Sequence, residues 1–507
     1  MEYLQDSKSY RMKPLLREEL LKDPDTCYLQ TCHQAAFNYY EKRCKSQERF
    51  DLLLVEEWIY HALGCGEEDV ASEQGGRLIS HLRKRLALPE SRRVGDWILA
   101  QKKQECHTKN DAFLLNELAL TINDMGDQPK AIRYYQQVLD IWEKVYGEKH
   151  QNVGAALNNL GEAWRALGVP RKALRYYQEA LEIWKNVHGE THSQVAAALN
   201  NLGEVWRALG MPREALRYYH EALEISKNLH GEAHPQIAAV LNNLGLAWAD
   251  LADNRNAIEH FQQALDILKD FYGEEHPQIA AALNNQGSVL KALGDHHSAI
   301  KHFQQALDIL KGVYGETHPQ VAAASNNLGS VWDDLGDPHK AIQHYQQALD
   351  ILKDFYGETH PQIATTLNNL GLAWIGLGDP HKAIRYFRQA LEIDEAVYGQ
   401  NHPKRAIRLN NLGEALKDLG NYRSAIELYK QALDIDEAVY GRDHPKVAIR
   451  LNNLGEAYFG LKKKKTAKEY FEQAYVIFKK SLEEEHPYTI TAKKGLETCT
   501  EKWQSCL

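Results

Sequence analysis

The sequence predicts an all-α fold in which helix pairs stack into an extended solenoid. Three observations predict it. A short motif recurs every 42 residues, each copy is flanked by two segments of helical periodicity, and glycine or proline stands between those segments. A fixed period of this length is typical of stacked repeats rather than of one globular core.

The recurring motif is Leu-Asn-Asn or a near copy of it. Its first asparagine falls at steps of 42 residues, at Asn158, Asn200, Asn242, Asn284, Asn326, Asn368, Asn410 and Asn452. A weaker copy stands one step earlier, at Asn116 in Leu-Leu-Asn-Glu-Leu. The count predicts about nine repeats.

Each repeat predicts two amphipathic helices. In the second repeat, apolar residues recur at spacings of three and four at Val153, Leu157, Leu160, Trp164 and Leu167. Gly168 then ends this helix and Pro170 begins the next, which runs to Gly189. Because neither helix can bury its apolar face alone, we expect the repeats to stack on a continuous core.

The two ends of the chain depart from the repeat. Residues 1 to about 105 predict helices at 14–22, 28–45 and 49–63, and the pattern is broken at Gly64, Gly66, Gly75, Gly76 and Pro89. Residues 486–507 begin like a further first helix but are polar, as a solvating cap would be. The predicted domains are therefore 1–105, 106–485 and 486–507.

The composition of the chain limits the classes of function that we expect. The chain of 507 residues is 44% hydrophobic and 25% charged, with a formal net charge of −9, so we expect neither disorder nor nucleic-acid binding. No apolar run of membrane-spanning length occurs, and residues 1–10 lack a signal core. Five of seven cysteines lie in the first 106 residues, which does not suit a disulfide framework and favours a cytoplasmic location.

No motif argues for catalysis, a cofactor or a metal. Nucleotide-binding loops and nucleophile elbows are absent from the sequence. A histidine precedes each repeat junction from His150 to His486, and we interpret it as a helix-entry residue packed on the preceding turn. The amino-terminal group Cys27, Cys32, His33, Cys44, His61 and Cys65 lacks the close cysteine pairs of a zinc module, so we expect ordinary thiols.

The repeat resembles a known family. The order Leu157, Leu160, Gly161, Trp164, Ala173, Tyr177 and Ala180 is similar to the tetratricopeptide consensus. The string Gly-Glu-x-His-Pro-x-(Ile/Val)-Ala-x-x-Leu-Asn-Asn-Leu-Gly resembles, more narrowly, the repeats of kinesin light chains, over residues 110–486. The resemblance implies a right-handed α-solenoid of about nine tetratricopeptide helix pairs, with an N-terminal helical domain and a C-terminal capping helix.

The resemblance also implies a function, namely a protein- or peptide-binding scaffold whose first helices line a concave groove. The residues it places there are Asn158, Glu162, Arg165, Asn200, Glu204, Arg207, Asn242, Leu246, Asn284, Lys291, Asn326, Asp333, Asp334, Asn368, Ile375, Asn410, Lys417, Asn452 and Phe459. The repeats at 277–318 and 319–360 match at 30 of 42 positions, and two of the sharpest changes are Lys291 to Asp333 and Ala292 to Asp334. We call the recurring asparagine pairs of the Leu-Asn-Asn motif the asparagine ladder. The ladder has two interpretations, since an amide could hold a peptide backbone or fix the spacing of the repeats.

A second resemblance provides an alternative function. The phrases at 33–40 and 58–61 are similar to the helical segment that follows the winged helix in signalling NTPases of the STAND type. This resemblance implies the ligand-sensing part of such a protein, associated with or fused to an NTPase module. The chain itself carries no NTPase motif.

Overall fold

The computed structural model of the 507-residue chain describes residues 2–4, 9–11, 26–46, 51–482 and 484–500. These residues form 23 α-helices, which we number α1 to α23, so the all-α prediction is confirmed. A short antiparallel hairpin is added at the amino terminus, where β1 (Glu2–Leu4) pairs with β2 (Ser9–Arg11). The helix predicted at 14–22 lies outside the described residues.

Four helices precede the repeats, α1 (Thr26–Lys45), α2 (Leu52–Cys65), α3 (Glu68–Lys84) and α4 (Leu88–Gln101). The predicted break at Gly75 and Gly76 is wrong, because both lie inside α3. A Cβ on Gly76 would lie 2.5 Å from the Phe113 ring, so these glycines provide close helix packing rather than a turn. Pro89 likewise occupies the first turn of α4, where its missing N–H costs no hydrogen bond.

Nine helix pairs follow. They are α5 (Lys109–Asp124) with α6 (Gln128–Tyr146), α7 (Gln151–Ala166) with α8 (Pro170–His188), α9 (Ser193–Ala208) with α10 (Pro212–His230), α11 (Pro235–Asp250) with α12 (Asn254–Tyr272), α13 (Pro277–Ala292) with α14 (His296–Tyr314), α15 (Pro319–Asp334) with α16 (Pro338–Tyr356), α17 (Pro361–Gly376) with α18 (Pro380–Tyr398), α19 (Pro403–Asp418) with α20 (Tyr422–Tyr440), and α21 (Pro445–Gly460) with α22 (Lys464–Ser481). The last helix, α23 (Pro487–Thr500), follows the ninth pair as predicted.

The chain divides into two compact units. One comprises Met1–Asp124 with Gln137–Val145, and the other comprises Met125–Gln136 with Tyr146–Leu507. The division passes through the first helix pair, and the second unit holds the remaining eight pairs. The domain boundaries predicted from the repeat sequence stay predictions.

A buried ion pair organises the connection between α4 and α5 in the first unit. The Lys102 ammonium lies 2.6 Å from an Asp111 carboxylate oxygen, and both side chains are almost fully buried. Ser72 donates to the same carboxylate at 2.6 Å, and the backbone N–H groups of His107 and Thr108 also donate to it. Although burial acts in the opposite direction, these hydrogen bonds hold the pKa of Asp111 down at about 2.

In the second to ninth repeats, a glycine and an aromatic ring join the two helices. A Cβ on Gly161 would lie 2.8 Å from the ring of Tyr177, which is fully buried. The same relationship joins Gly287 of α13 to Phe303 of α14. Burying such a ring contributes about 1.5–3 kcal/mol, so this contact is a principal source of stability in these eight pairs.

The junction histidines begin the first helices. The Nδ1 of His276 accepts a hydrogen bond from the backbone N–H of Gln278 at 3.3 Å, and its ring stacks on Tyr272 with centroids 3.7 Å apart. This arrangement recurs at other junctions, including His318 on Tyr314. The interpretation of these histidines as helix-entry residues is confirmed.

The repeat array also touches itself far along the chain, in a feature that the sequence did not predict. The turn glycines of three early repeats meet the junctions of three late repeats at a constant sequence separation. We call these contacts the latch, and they pair Gly126 with His360, Gly168 with His402 and Gly210 with His444. Arg171 adds a hydrogen bond at 2.9 Å to the carbonyl of Tyr440. All three latch histidines are buried. His276 and His318, at junctions that make no latch contact and that we call open junctions, are only half-buried.

Candidate peptide-binding groove

The first helices of neighbouring repeats contact one another directly and form one wall of the array. Side chains from this wall bridge successive repeats, as in the 3.2 Å ion pair between the Arg165 guanidinium of α7 and Glu204 of α9. In a curved stack, the helices on the inner side approach most closely. This wall carries the residues that the family resemblance placed in a groove.

The asparagine ladder joins repeats to each other. The second asparagine of a repeat donates its Nδ2 to the Oδ1 of the first asparagine in the preceding repeat, as Asn201 does to Asn158 at 2.9 Å. Four further links follow the same geometry, Asn243 to Asn200, Asn327 to Asn284, Asn411 to Asn368 and Asn453 to Asn410. Of the two interpretations, this geometry supports the one in which the amides fix the spacing of the repeats.

Two positions interrupt the ladder. The Oδ1 atoms of Asn242 and Asn326 are enclosed and accept no hydrogen bond from the described residues. Asn326 instead donates to the hydroxyl of Thr366 at 2.9 Å. In the repeat after Asn242, Gln286 replaces the leucine that follows the asparagine pair.

The cations of the groove are all paired with acids of the following repeat. Besides Arg165, these ion pairs are Arg207 with Asp250 at 2.6 Å, Lys291 with Asp334 at 3.1 Å, and Lys417 with Glu456 at 2.7 Å. The partners are 39 or 43 residues apart. These pairs were not predicted from the sequence, although opposite charges at that separation are a signal from which they follow.

The predicted groove acid Glu162, and Glu414 at the equivalent position of a later repeat, also accept hydrogen bonds from buried tyrosines. The hydroxyl of Tyr177 donates to Glu162 at 3.0 Å, and the hydroxyl of Tyr429 donates to Glu414 at 2.9 Å. Burial, followed by the charge of the adjacent glutamate, raises the pKa of each tyrosine. These tyrosines stay neutral donors, so the two glutamates are fixed in position.

Two groove carboxylates remain without a cation. Within the described chain, no lysine or arginine nitrogen lies within 4 Å of Asp333 or Asp418. The pKa of Asp333 is raised, first by burial and then by the adjacent charge of Asp334, although the charge of Lys291 acts in the opposite direction. The pKa of Asp418 is raised by burial and by the charge of Glu414. Raised carboxyl pKa values mean that a nearby positive charge would be stabilising at these two positions.

Apolar side chains alternate with these charges along the wall. Leu246 and Ala249 lie on α11, and Leu372 and Ile375 lie on α17, with Leu372 41% exposed. Phe459 lies half-buried near the end of α21. We call Leu372 and Ile375 the α17 step. Asp333 lies beside this step, since its Oδ1 is 3.6 Å from the Cβ position of Gly376 at the end of the same helix.

Metal ligands are not gathered anywhere in the described part of the chain, where no group of three or more His, Cys, Asp or Glu side chains could hold an ion. His33 and His61 do come together, with their Nδ1 atoms 2.9 Å apart. Of the thiols noted near them in the sequence, burial raises the pKa of Cys44 and of Cys65. Cys27 lies where no side chain is described. No helix in the described ranges has the length and apolarity needed to cross a membrane.

The family model for the tetratricopeptide repeat matches the chain in overlapping segments from residue 111 to residue 480. The chain belongs to the tetratricopeptide repeat family. Stacked repeats of this kind present extended concave surfaces for binding, so the chain is a protein-interaction scaffold in the general sense. The matched region begins after α4, and the resemblance of the amino-terminal segment to signalling NTPases stays a prediction.

Several solved structures are similar to this tetratricopeptide repeat protein. BtubC (BKLC) from P. vanneervenii is 23% identical, with a TM-score of 0.37, covering 46% of this chain and 92% of that one. A putative kinesin light chain from Podospora anserina with nearly identical repeats is 22% identical, with a TM-score of 0.35, covering 41% and 99%. A Rap protein complexed with Competence and Sporulation Factor is 17% identical, with a TM-score of 0.49, covering 74% and 99%. No curated protein matches the chain.

Proposed function

We propose that this tetratricopeptide repeat protein is a non-enzymatic scaffold that binds an extended segment of a partner protein along the wall of its first helices. The observation that carries the proposal is the α17 step, where Leu372 and Ile375 lie between charged stretches of the wall and Leu372 is 41% exposed. Leu372 is on the first helix of its pair and remains substantially exposed, although the stacked repeats bury most leucines of these helices.

The charged stretches on either side are consistent with this proposal. Their ion pairs connect one repeat to the next, so the wall is already ordered before a partner arrives. A preorganised surface loses less conformational entropy on binding than a flexible one does. The apolar step then supplies the buried contact that anchors a ligand, and the ordered polar rim surrounds it.

The test is a peptide library selected on the full chain, followed by affinity measurements with the best binder. Leu372→Gln should weaken binding about tenfold, the equivalent of about 1.4 kcal/mol. Val476→Gln is the matched control, because Val476 is 63% exposed on the second helix of the last pair, away from the wall. Failure to select any binder, or equal affinity in both variants, would contradict groove binding.

A further inference from the structure

The charges at the predicted groove positions are unbalanced. At the positions four, seven and eight residues after the first asparagine of each first helix from α7 to α21, there are four cations, Arg165, Arg207, Lys291 and Lys417. The same positions hold eight acids, Glu162, Glu204, Asp250, Asp333, Asp334, Glu414, Asp418 and Glu456. Each of the four cations already has an acid of the next repeat within 4 Å, so the excess negative charge is not neutralised among these positions.

The excess negative charge has its largest effect at the boundary between the sixth and seventh helix pairs. Asp334 is engaged by Lys291, which reaches it from the preceding repeat and also donates to the hydroxyl of Ser330. Asp333 is half-buried beside Asp334 and has no cation of its own. Burying a carboxylate without a partner is costly, and a ligand cation placed against it would recover part of that cost.

The same boundary carries the apolar step. Asp333 lies against the end of α17, close to Gly376, and Ile375 precedes that glycine on the same helix. Leu372 lies one turn earlier and is exposed. A carboxylate without an ion pair of its own and an apolar surface are therefore adjacent on the wall. Charge complementarity on such a surface selects partners and suppresses those of the wrong sign.

We propose that this boundary is a specificity site for a protein segment in which lysine or arginine stands next to an apolar side chain, with the cation on Asp333 and the apolar group on Leu372 and Ile375. The inference rests on the proposed function of the wall and names the chemical class of its ligand. Acidic segments are disfavoured at the same site, because Asp333 and Asp334 would repel them.

The test is a double-mutant cycle with peptides selected on the full chain. The selected peptide is compared with versions in which its basic residue is changed to glutamine or to glutamate, against wild type, Asp333→Asn and Asp333→Glu. The glutamine peptide should bind wild type about tenfold more weakly, and Asp333→Asn should remove most of that difference. Asp333→Glu, which keeps the charge, should retain the preference for the basic peptide.

Asp350→Asn is the control, since Asp350 is an exposed carboxylate on the second helix α16, where it accepts a hydrogen bond from Gln346. Selected peptides without enrichment in lysine or arginine would overturn the inference, as would equal effects of Asp333→Asn on the basic and glutamine peptides. With either of these results, Leu372→Gln should still weaken binding, whereas failure of the groove itself would leave binding unaffected by Leu372→Gln. The two kinds of failure are therefore distinguishable.

Discussion

Asn327 donates its side-chain amide to the Oδ1 of Asn284 at 3.1 Å, across the boundary between the fifth and sixth helix pairs. Asn242, at the equivalent position one repeat before Asn284, has an enclosed Oδ1 with no such donor among the described residues. The motif is identical in sequence at the two positions, yet its hydrogen bonds differ. This difference allows the role of the ladder to be measured within one molecule.

Replacement of Asn284 should destabilise the array more than replacement of Asn242. Asn284→Ala leaves the Asn327 amide without its acceptor and should cost about 1 kcal/mol in the free energy of unfolding. Asn242→Ala removes no ladder bond and should cost clearly less. Urea unfolding followed by circular dichroism measures both, and equal losses would mean that the ladder does not stabilise the repeats.

The latch should respond to added volume at its glycines. Gly168 has φ +72° and a Cβ there would lie 3.0 Å from His402 Nε2, so Gly168→Ala combines backbone strain with a clash. Gly294, with φ +80°, has an open Cβ position, so Gly294→Ala has the strain alone. Hydrogen exchange at residues 398–404 should accelerate in Gly168→Ala and not in Gly294→Ala. Unchanged exchange in both would show that the latch is not closed in solution.

Acidification should open the latch. Burial, together with the charges of Lys404 and Arg408, lowers the pKa of His402 to about 3, while the nearby backbone of Leu167 acts in the opposite direction. Burial also lowers the pKa of His360 to about 4 beside Lys404, and that of His444 to about 4 beside Lys446 and Arg171. A histidine in an open chain titrates near 6.5 and binds its proton more readily there. The closed state is therefore fully favoured above that pH and loses stability as the pH falls from 6.5 toward 3.

His402→Asn separates this effect from helix capping. Asparagine can still accept the N–H of Lys404, which His402 Nδ1 now accepts at 3.1 Å, but it does not titrate. Stability measured between pH 7 and pH 4 should fall less steeply in His402→Asn than in wild type. His276→Asn at an open junction serves as the control, and an equally flattened profile there would contradict the latch as the source.

The late repeats contain a buried ion pair that an earlier repeat replaces with uncharged residues. Arg408 lies 3.0 Å from Asp394, both are almost fully buried, and the equivalent positions one repeat earlier are Thr366 and Leu352. Arg408→Thr alone should cost about 3–5 kcal/mol, because it leaves Asp394 buried without its partner. Asp394→Leu with Arg408→Thr should recover most of that loss in the same unfolding measurement. A double variant as unstable as the single one would contradict this account.

Much of the fold follows from local pattern. The 42-residue period, the apolar spacing and the glycine and proline positions place nine helix pairs, and Gly161 and Tyr177, both part of the order similar to the tetratricopeptide consensus, are in contact in the structure. The same local rule failed at Gly75 and Gly76, where tertiary packing keeps two glycines inside a helix. Glycine marks both turns and close contacts, and sequence pattern alone does not distinguish them.

The candidate site was less predictable because its determinants lie between repeats. Lys291 and Asp334 were noted as a change in groove chemistry, whereas the structure brings them within 3.1 Å of each other. The latch is even less predictable from the sequence than these ion pairs are. It depends on the small rotation at each repeat boundary summed over several repeats, and no single motif encodes that sum.

The most direct test of the central claim is to locate a bound peptide on the chain. A library-selected peptide carrying a photoreactive residue would be cross-linked to the full chain and the modified segments identified by mass spectrometry. The account predicts labels on the first helices α15 and α17, near Asp333 and Leu372. Labels confined to the second helices α16 and α18 would contradict it.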